Sequence, residues 1–124
     1  MAVPAALGPP ESVIVADPDP GGSPRLVTLV YRGGGVRLDQ FDGGLDPGFL
    51  KSASDAEWTQ VAAGTALWLP TSHPVTYVDR GGVAHTEAAR LAGPTLVWSA
   101  GAVTYRLEGV ATLAEARTIA ASLR

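Results

Sequence analysis

The sequence has 124 residues, a length that suits one domain, and a hydrophobic content of 46%, which is ordinary for a folded protein. A formal net charge of −3 and the absence of any Lys/Arg run exclude an electrostatic surface for nucleic acid or an anionic membrane. Because cysteine is absent, disulfides, thiol catalysis and thiolate metal sites are excluded.

No apolar run approaches the roughly 18 residues that a membrane helix needs. The N-terminal stretch also lacks the basic region of a signal peptide. We therefore expect any membrane anchor or export signal to lie outside this sequence.

Residues 1–24 are rich in proline and glycine, which predicts an N-terminal arm or linker before a single domain at 25–124. Within the arm, Ser12–Ala16 is compatible with either a short edge strand or a plain tether. Leu26–Arg32 predicts an interior strand, because both of its faces are apolar at the centre. After three glycines, Val36–Phe41 predicts its hairpin partner.

The middle of the chain predicts a second hairpin and two further strands. Glu57–Ala62 and Thr65–Leu69 form the hairpin about a glycine. Val75–Asp79 is the next strand, and the weaker pattern of Val83–Leu91 is compatible with a strand that has an exposed face. The short connections favour antiparallel pairing, since parallel strands need longer crossovers.

The C-terminal third predicts a strand, a tight turn at Gly101, a second strand and a helix. The second strand alternates between an apolar face and a polar face, which is typical of a half-buried antiparallel strand. The polar face carries Thr104, Arg106 and Glu108.

A helix is predicted to begin after Thr112, where Thr112–Glu115 fits the capping box. Its residues form one apolar stripe at helical spacing, and this stripe must lie on an apolar partner because so short a helix is marginal alone. We expect Trp98 to fill the interface between the sheet and this stripe. The stripe consists of Leu113, Ala116, Ile119, Ala120 and Leu123.

The expected fold class is therefore α+β. It consists of a twisted antiparallel sheet of about seven short strands, with one C-terminal α-helix packed on one face.

The two histidines do not predict a metal or catalytic site. Zinc would need His73 and His85 together with Asp79 or Glu87, and nothing in their spacing requires that geometry. A Ser72–His73–Asp79 triad lacks the strand-turn-helix elbow of a nucleophilic serine. We therefore expect no catalytic residues, no metal, no cofactor and no enzymatic activity.

The aromatic residues predict mostly core positions, with one candidate binding surface. That surface lies near Trp68, His73 and Tyr77, where an aromatic strand meets a proline-bounded loop. A carrier of an apolar molecule would instead need an open cavity between sheet and helix, lined by Trp68, Trp98 and Leu123.

The order of several short motifs resembles the extracytoplasmic domain of a family of membrane proteins from high-GC Gram-positive bacteria, often described as anti-sigma factors or related regulators. The resemblance spans nearly the whole chain from Leu7 onward, and its motifs are structural rather than catalytic. They are VTLVYR, VRLDQFDG, LDPGFLK, ALWLP, SHPVTYVD, ARLAGPTLVW, TYRLEG and ATLAEARTIAASL.

The resemblance implies a non-enzymatic sensory or interaction module on the outer side of a membrane, in a regulator anchored through a segment absent from this sequence. It implies a protein partner or a small apolar ligand, and no nucleic acid. The first alternative is a carrier of lipid or another small apolar molecule. The second is a hydrolase, which a convergent polar cleft around His73 would favour.

Overall fold

The structure, a computed structural model, describes residues 2–18, 24–47, 49, 56–61, 64–72 and 74–123. Its fold is α+β, as the sequence predicts, and the described residues form nine antiparallel strands followed by a C-terminal helix. These elements are β1 (Ser12–Pro18), β2 (Pro24–Tyr31), β3 (Val36–Leu45), β4 (Glu57–Val61), β5 (Gly64–Leu69), β6 (Val75–Asp79), β7 (Ala84–Glu87), β8 (Thr95–Ala100), β9 (Val103–Glu108) and α1 (Leu113–Ala121).

Seven strands form the main sheet in the order β1-β2-β3-β9-β8-β5-β4. The three predicted hairpins are confirmed by the pairs β2–β3, β4–β5 and β8–β9. The strand count is nine rather than about seven, because both the N-terminal β1 and the weakly patterned β7 pair with a neighbour.

Strand β3 leaves the main sheet at Gly43 and continues as the partner of β6, which pairs with β7. The two backbones approach closely at this point, since a Cβ on Gly43 would lie 2.0 Å from the carbonyl oxygen of Val78. Only glycine fits there. The β6–β7 hairpin is thereby positioned against the face of the main sheet that lies opposite the helix.

The predicted helix cap is confirmed in part. Thr112 has an extended backbone, and its hydroxyl accepts a hydrogen bond from the Glu115 amide at 3.3 Å. The carboxylate of Glu115, however, accepts a hydrogen bond from Arg32 at 3.0 Å, where the capping box has it reach back to the cap. The helix start is thus tied to the turn after β2.

The helix covers an apolar core on one face of the sheet, and Trp98 lies at its centre, as expected. Trp98 is 1% exposed and stacks on Tyr105, with 5.2 Å between the ring centroids. Ala116, Ile119 and Ala120 of the predicted stripe are buried in the same cluster. The small side chains of Ala116 and Ala120 let the helix approach the sheet closely.

The opposite face of the sheet is also buried, so the expectation of a half-buried β9 is wrong. Thr104, Arg106 and Glu108 are each at most 1% exposed. The β6–β7 hairpin folds over them, because Arg106 donates a hydrogen bond to the carbonyl of Glu87 in β7 at 2.9 Å. The apolar residues buried on this side are Leu26, Phe41, Phe49, Leu67, Leu69, Val75, Tyr77 and Val97.

The described part of the predicted N-terminal arm is bound to the domain. Pro4 forms a β-bridge with Leu123, and the Tyr31 hydroxyl donates to the Gly8 carbonyl at 3.1 Å. Strand β1 covers the expected edge strand at Ser12–Ala16 and pairs with β2. Positions 19–23 of the predicted arm lie outside the described residues. Within the described ranges, no helix has the length and apolar character needed to cross a membrane.

Candidate functional site

The candidate site is a groove at the β4 end of the main sheet, on the face opposite the helix. Trp58 of β4 pairs with Leu67 of β5, which in turn pairs with Val97 of β8. Directly paired residues point to the same face of a sheet. The three side chains therefore form a row across three strands, and this row is the floor and one edge of the groove.

Exposure changes sharply along this row. Leu67 and Val97 are at most 1% exposed, whereas the Trp58 side chain is 59% exposed. Trp58 lies on the last strand of the sheet, so one of its sides has no neighbouring strand among the described residues. A large aromatic ring thus stands in solvent beside a buried apolar surface.

The groove has a volume of about 300 Å³ and a mixed lining. Leu45, at the end of β3, forms part of its wall, and two hydroxyl residues add polar groups. Ser99 shares a hydrogen bond of 3.4 Å with Thr104, and Thr65 accepts one of 3.3 Å from Gln60. Most of the lining is apolar, with hydroxyls that can orient a ligand.

A second concavity, of about 440 Å³, lies between β4 and α1. Arg117 lines it and donates a hydrogen bond to the Gln60 carbonyl at 3.0 Å. Because this contact ties the helix to the end strand, the surface has a structural role already. We regard the Trp58 groove as the better candidate.

A partly buried cluster around His85 joins the β6–β7 hairpin to the main sheet. The imidazole Nε2 lies 2.6 Å from the Asp79 carboxylate, and an Arg25 guanidinium nitrogen lies 2.7 Å from Nδ1 and 2.8 Å from Nε2. The ring also stacks on Tyr77, and Tyr77 stacks on Phe41 of β3. These contacts hold the hairpin against the main sheet, and the side chains of His85 and Asp79 are 25% and 17% exposed.

Asp79 is fixed in the turn between β6 and β7. The hydrogen bond from His85 lowers the pKa of Asp79 below its ordinary value, and the amide of Val83 lowers it further. The same carboxylate also accepts from the amide of Gly81 at 2.9 Å. Asp79 and His85 are two of the four residues considered for a zinc site; Glu87 lies in β7, and His73 lies outside the described residues. Among the described residues, no group of three or more His, Asp or Glu side chains could hold a metal ion.

The third polar cluster is fully buried between β9 and the residues that cover it. Arg106 donates to Asp39 at 2.7 Å and lies 3.6 Å from Glu108. Thr28 donates to the other oxygen of Asp39 at 2.5 Å. The guanidinium also lies 5.4 Å from the centre of the Phe41 ring. This cluster is closed to ligands and belongs to the core.

Glu108 has a second function in holding the segment after β7. Its carboxylate accepts hydrogen bonds from the backbone amides of Arg90 and Leu91 at 3.1 and 3.3 Å. Burial raises the pKa of Glu108, against the lowering effect of Arg106. Two buried polar atoms in this region, Arg37 Nε and Thr95 Oγ1, have no hydrogen-bond partner in the described part of the chain.

The structure places the residues of the predicted binding surface apart. Trp68 packs against the helix-side core, in register with Leu96. Tyr77 is 1% exposed in the core of the opposite face. The sheet therefore separates these two rings. His73 lies outside the described residues.

One feature of the sequence does indicate the groove, namely an aromatic residue in a polar strand. Trp58 stands between Glu57, Thr59 and Gln60, so an aromatic residue occurs in an otherwise polar strand. Such a strand has little core to fill, which makes its one large apolar side chain a candidate for a surface role.

Comparison with known proteins identified no relative. No family profile matches the sequence, and no curated protein or solved structure matches it significantly.

Proposed function

We propose that this domain is a non-enzymatic interaction module, in which the groove beside Trp58 receives an apolar side chain of a protein partner. One observation carries the proposal. An indole ring that is 59% exposed borders a concave apolar surface built on Leu67 and Val97. Tryptophan is enriched among the residues that contribute most to protein interfaces, because it buries a large area at low entropic cost.

The size of the groove favours a side chain over a free lipid. Pockets that carry small molecules bury about 70–90% of the ligand surface and span about 300–1,000 Å³. The groove, at about 300 Å³, lies at the lower end of that range and has an exposed rim. The space between sheet and helix, where a carrier would need an open cavity, is occupied by Trp98 and its neighbours. The alternative occupant of the Trp58 groove is a small apolar ligand.

We also propose the setting that the sequence resemblance implies, a sensory domain on the outer side of a membrane in an anchored regulator. Its support is the order of motifs along the chain. Reading the gene upstream and downstream of this sequence tests it directly. A membrane helix beside the domain would agree with the proposal, and a reading frame without one would contradict it.

The binding proposal is tested by NMR titration with small probes that imitate each occupant. N-acetyl-leucinamide and N-acetyl-phenylalaninamide imitate partner side chains, and decanoate imitates a lipid. We expect the two amides, at millimolar concentration, to shift the indole Nε1–H of Trp58 and the methyl groups of Leu67 and Val97. Saturation by decanoate at micromolar concentration would instead favour the carrier.

Two variants separate the groove from general surface effects. Trp58→Ala removes the rim of the groove, and Val83→Ala removes a side chain that is equally exposed, at 56%, on the turn before β7. We expect Trp58→Ala to abolish the shifts at Leu67 and Val97 and Val83→Ala to leave them unchanged. Shifts that persist in Trp58→Ala, or shifts located away from the groove, would contradict the proposal.

A further inference from the structure

Strand β1 forms an apolar free edge at the other end of the main sheet. Among the described strands it pairs only with β2. Val13, Ile14 and Val15 are 44%, 45% and 53% exposed, so both faces of the strand present β-branched side chains to solvent. Folded proteins usually protect such an edge with lysine, proline or a bulge, since its unpaired backbone groups can bind another strand. Residues 12–16 contain neither lysine nor proline, and the one proline of β1 is its last residue, Pro18.

This edge is also held in a fixed, extended conformation. Its register with β2 is continuous from Ser12 opposite Val30 to Ala16 opposite Leu26. At its start, the carboxylate of Glu11 accepts a hydrogen bond of 3.0 Å from the amide of Gly33. A strand that is already ordered loses little further conformational entropy when a second strand adds to it.

The sequence of the edge is nearly symmetric about Ile14, because it reads Ser-Val-Ile-Val-Ala from residue 12 to residue 16. We propose that β1 pairs in antiparallel fashion with β1 of a second copy of this chain, about a two-fold axis beside Ile14. In this register Ile14 faces Ile14, and Val13 faces Val15, across the interface. Pairs of β-branched residues are favourable cross-strand neighbours, and an isologous interface of this kind closes as a dimer.

The length of the edge determines how strong the dimer can be. Strand β1 has seven residues, and a strand of that length spans about 24 Å at 3.4 Å per residue. One strand edge falls below the roughly 1,200 Å² typical of stable complexes, so the dimer should be weak and dependent on concentration.

Cysteine cross-linking tests the register, since the protein has no cysteine of its own. Directly opposite residues of antiparallel strands have Cα atoms about 4.5–5.5 Å apart, within reach of a disulfide. Ile14→Cys should therefore cross-link to itself under mild oxidation. In Val13→Cys alone the two Cα atoms would be about 8 Å apart, too far for a disulfide, whereas a mixture of Val13→Cys and Val15→Cys should cross-link. Equal cross-linking of all single variants, or none, would overturn the register.

Sedimentation equilibrium tests the association itself without added cysteine. We expect the wild-type protein to dimerise at high micromolar to millimolar concentration. Ile14→Lys places a charge on the exposed edge and should weaken the dimer at least tenfold, while Val83→Lys, at another exposed valine, should leave it unchanged. A monomer at 1 mM protein, or a dimer that Ile14→Lys does not weaken, would overturn the proposal.

Discussion

Arg106 is the residue whose replacement should reveal most about how this fold is held together. Its side chain is 1% exposed, between the carboxylates of Asp39 at 2.7 Å and Glu108 at 3.6 Å. It also reaches the carbonyl of Glu87, so it binds the sheet to the hairpin that covers it. We predict that Arg106→Met lowers the free energy of unfolding by about 3–5 kcal/mol at pH 7, because the variant leaves two buried carboxylates uncompensated.

The loss of stability in Arg106→Met should depend on pH, and the direction of that dependence follows from the buried carboxyl group of Glu108. Burial raises the pKa of Glu108 in the folded state, and removing the guanidinium takes away the charge that opposes this rise. A carboxyl group with a raised folded pKa stabilises the fold most when it is protonated, and this contribution is lost as the pH rises through that pKa. Arg106→Met should therefore lose less stability at pH 5 than at pH 7. Urea unfolding of wild type and variant at both values measures this difference.

A compensated variant distinguishes lost charge balance from lost packing. Arg106→Met combined with Asp39→Leu and Glu108→Gln removes all three charges, and such replacements of buried ion clusters are often close to neutral. We expect the triple variant to recover most of the loss at pH 7. A loss from Arg106→Met below about 1 kcal/mol, or one that is equal at pH 5 and pH 7, would refute the reasoning.

Three further predictions concern single elements. Thr112→Ala removes the acceptor for the Glu115 amide and should cost about 1 kcal/mol in urea unfolding; an unchanged midpoint would mean that the cap does not contribute. Trp98→Ala should cost about 3–5 and Ile119→Ala about 2–5 kcal/mol, and the double variant should deviate from their sum, because both lie in one buried cluster. Because the pKa of Glu108 is raised in the folded state, wild-type stability should fall as the pH rises above 4.5. Glu108→Gln should abolish this fall, and an unaltered pH profile would contradict the prediction.

Local features of the fold were predictable because their signals lie within a few residues. The hairpins follow from alternating apolar residues and glycine turns, and the helix start follows from Thr112. The pairs β3–β9 and β5–β8 join strands that are distant in sequence, and no local pattern specifies them. For the same reason the polar residues of β9 predicted a solvent-exposed face, because the hairpin that buries Arg106 lies elsewhere in the chain.

The candidate site escaped prediction for a related reason. Trp68 and Tyr77 are close in sequence and both aromatic, which favoured a shared surface. Strand register decides the face of each ring, however, and Trp68 turns to the helix while Tyr77 turns to the hairpin. Trp58 is exposed only because β4 is the last described strand of the sheet, a fact of topology rather than of local sequence.

The groove is open because helix α1 and the β6–β7 hairpin, which cover the two faces of the main sheet, differ in how far they extend. On one face, helix α1 extends over the core around Trp98 and contacts β4 through Arg117. On the other, the cover is a hairpin of five-residue and four-residue strands, anchored at Gly43 in β3 and at Arg106 in β9. Both anchors lie on the central strands of the seven-strand sheet, and Trp58 of β4, at its end, is 59% exposed. We therefore expect an extension of the turn between Gly81 and Gly82 to leave the groove open, because Arg80 in that turn donates a hydrogen bond to Asp42 of β3 at 2.8 Å. Grafted residues there should not alter the NMR response of Trp58 to N-acetyl-leucinamide.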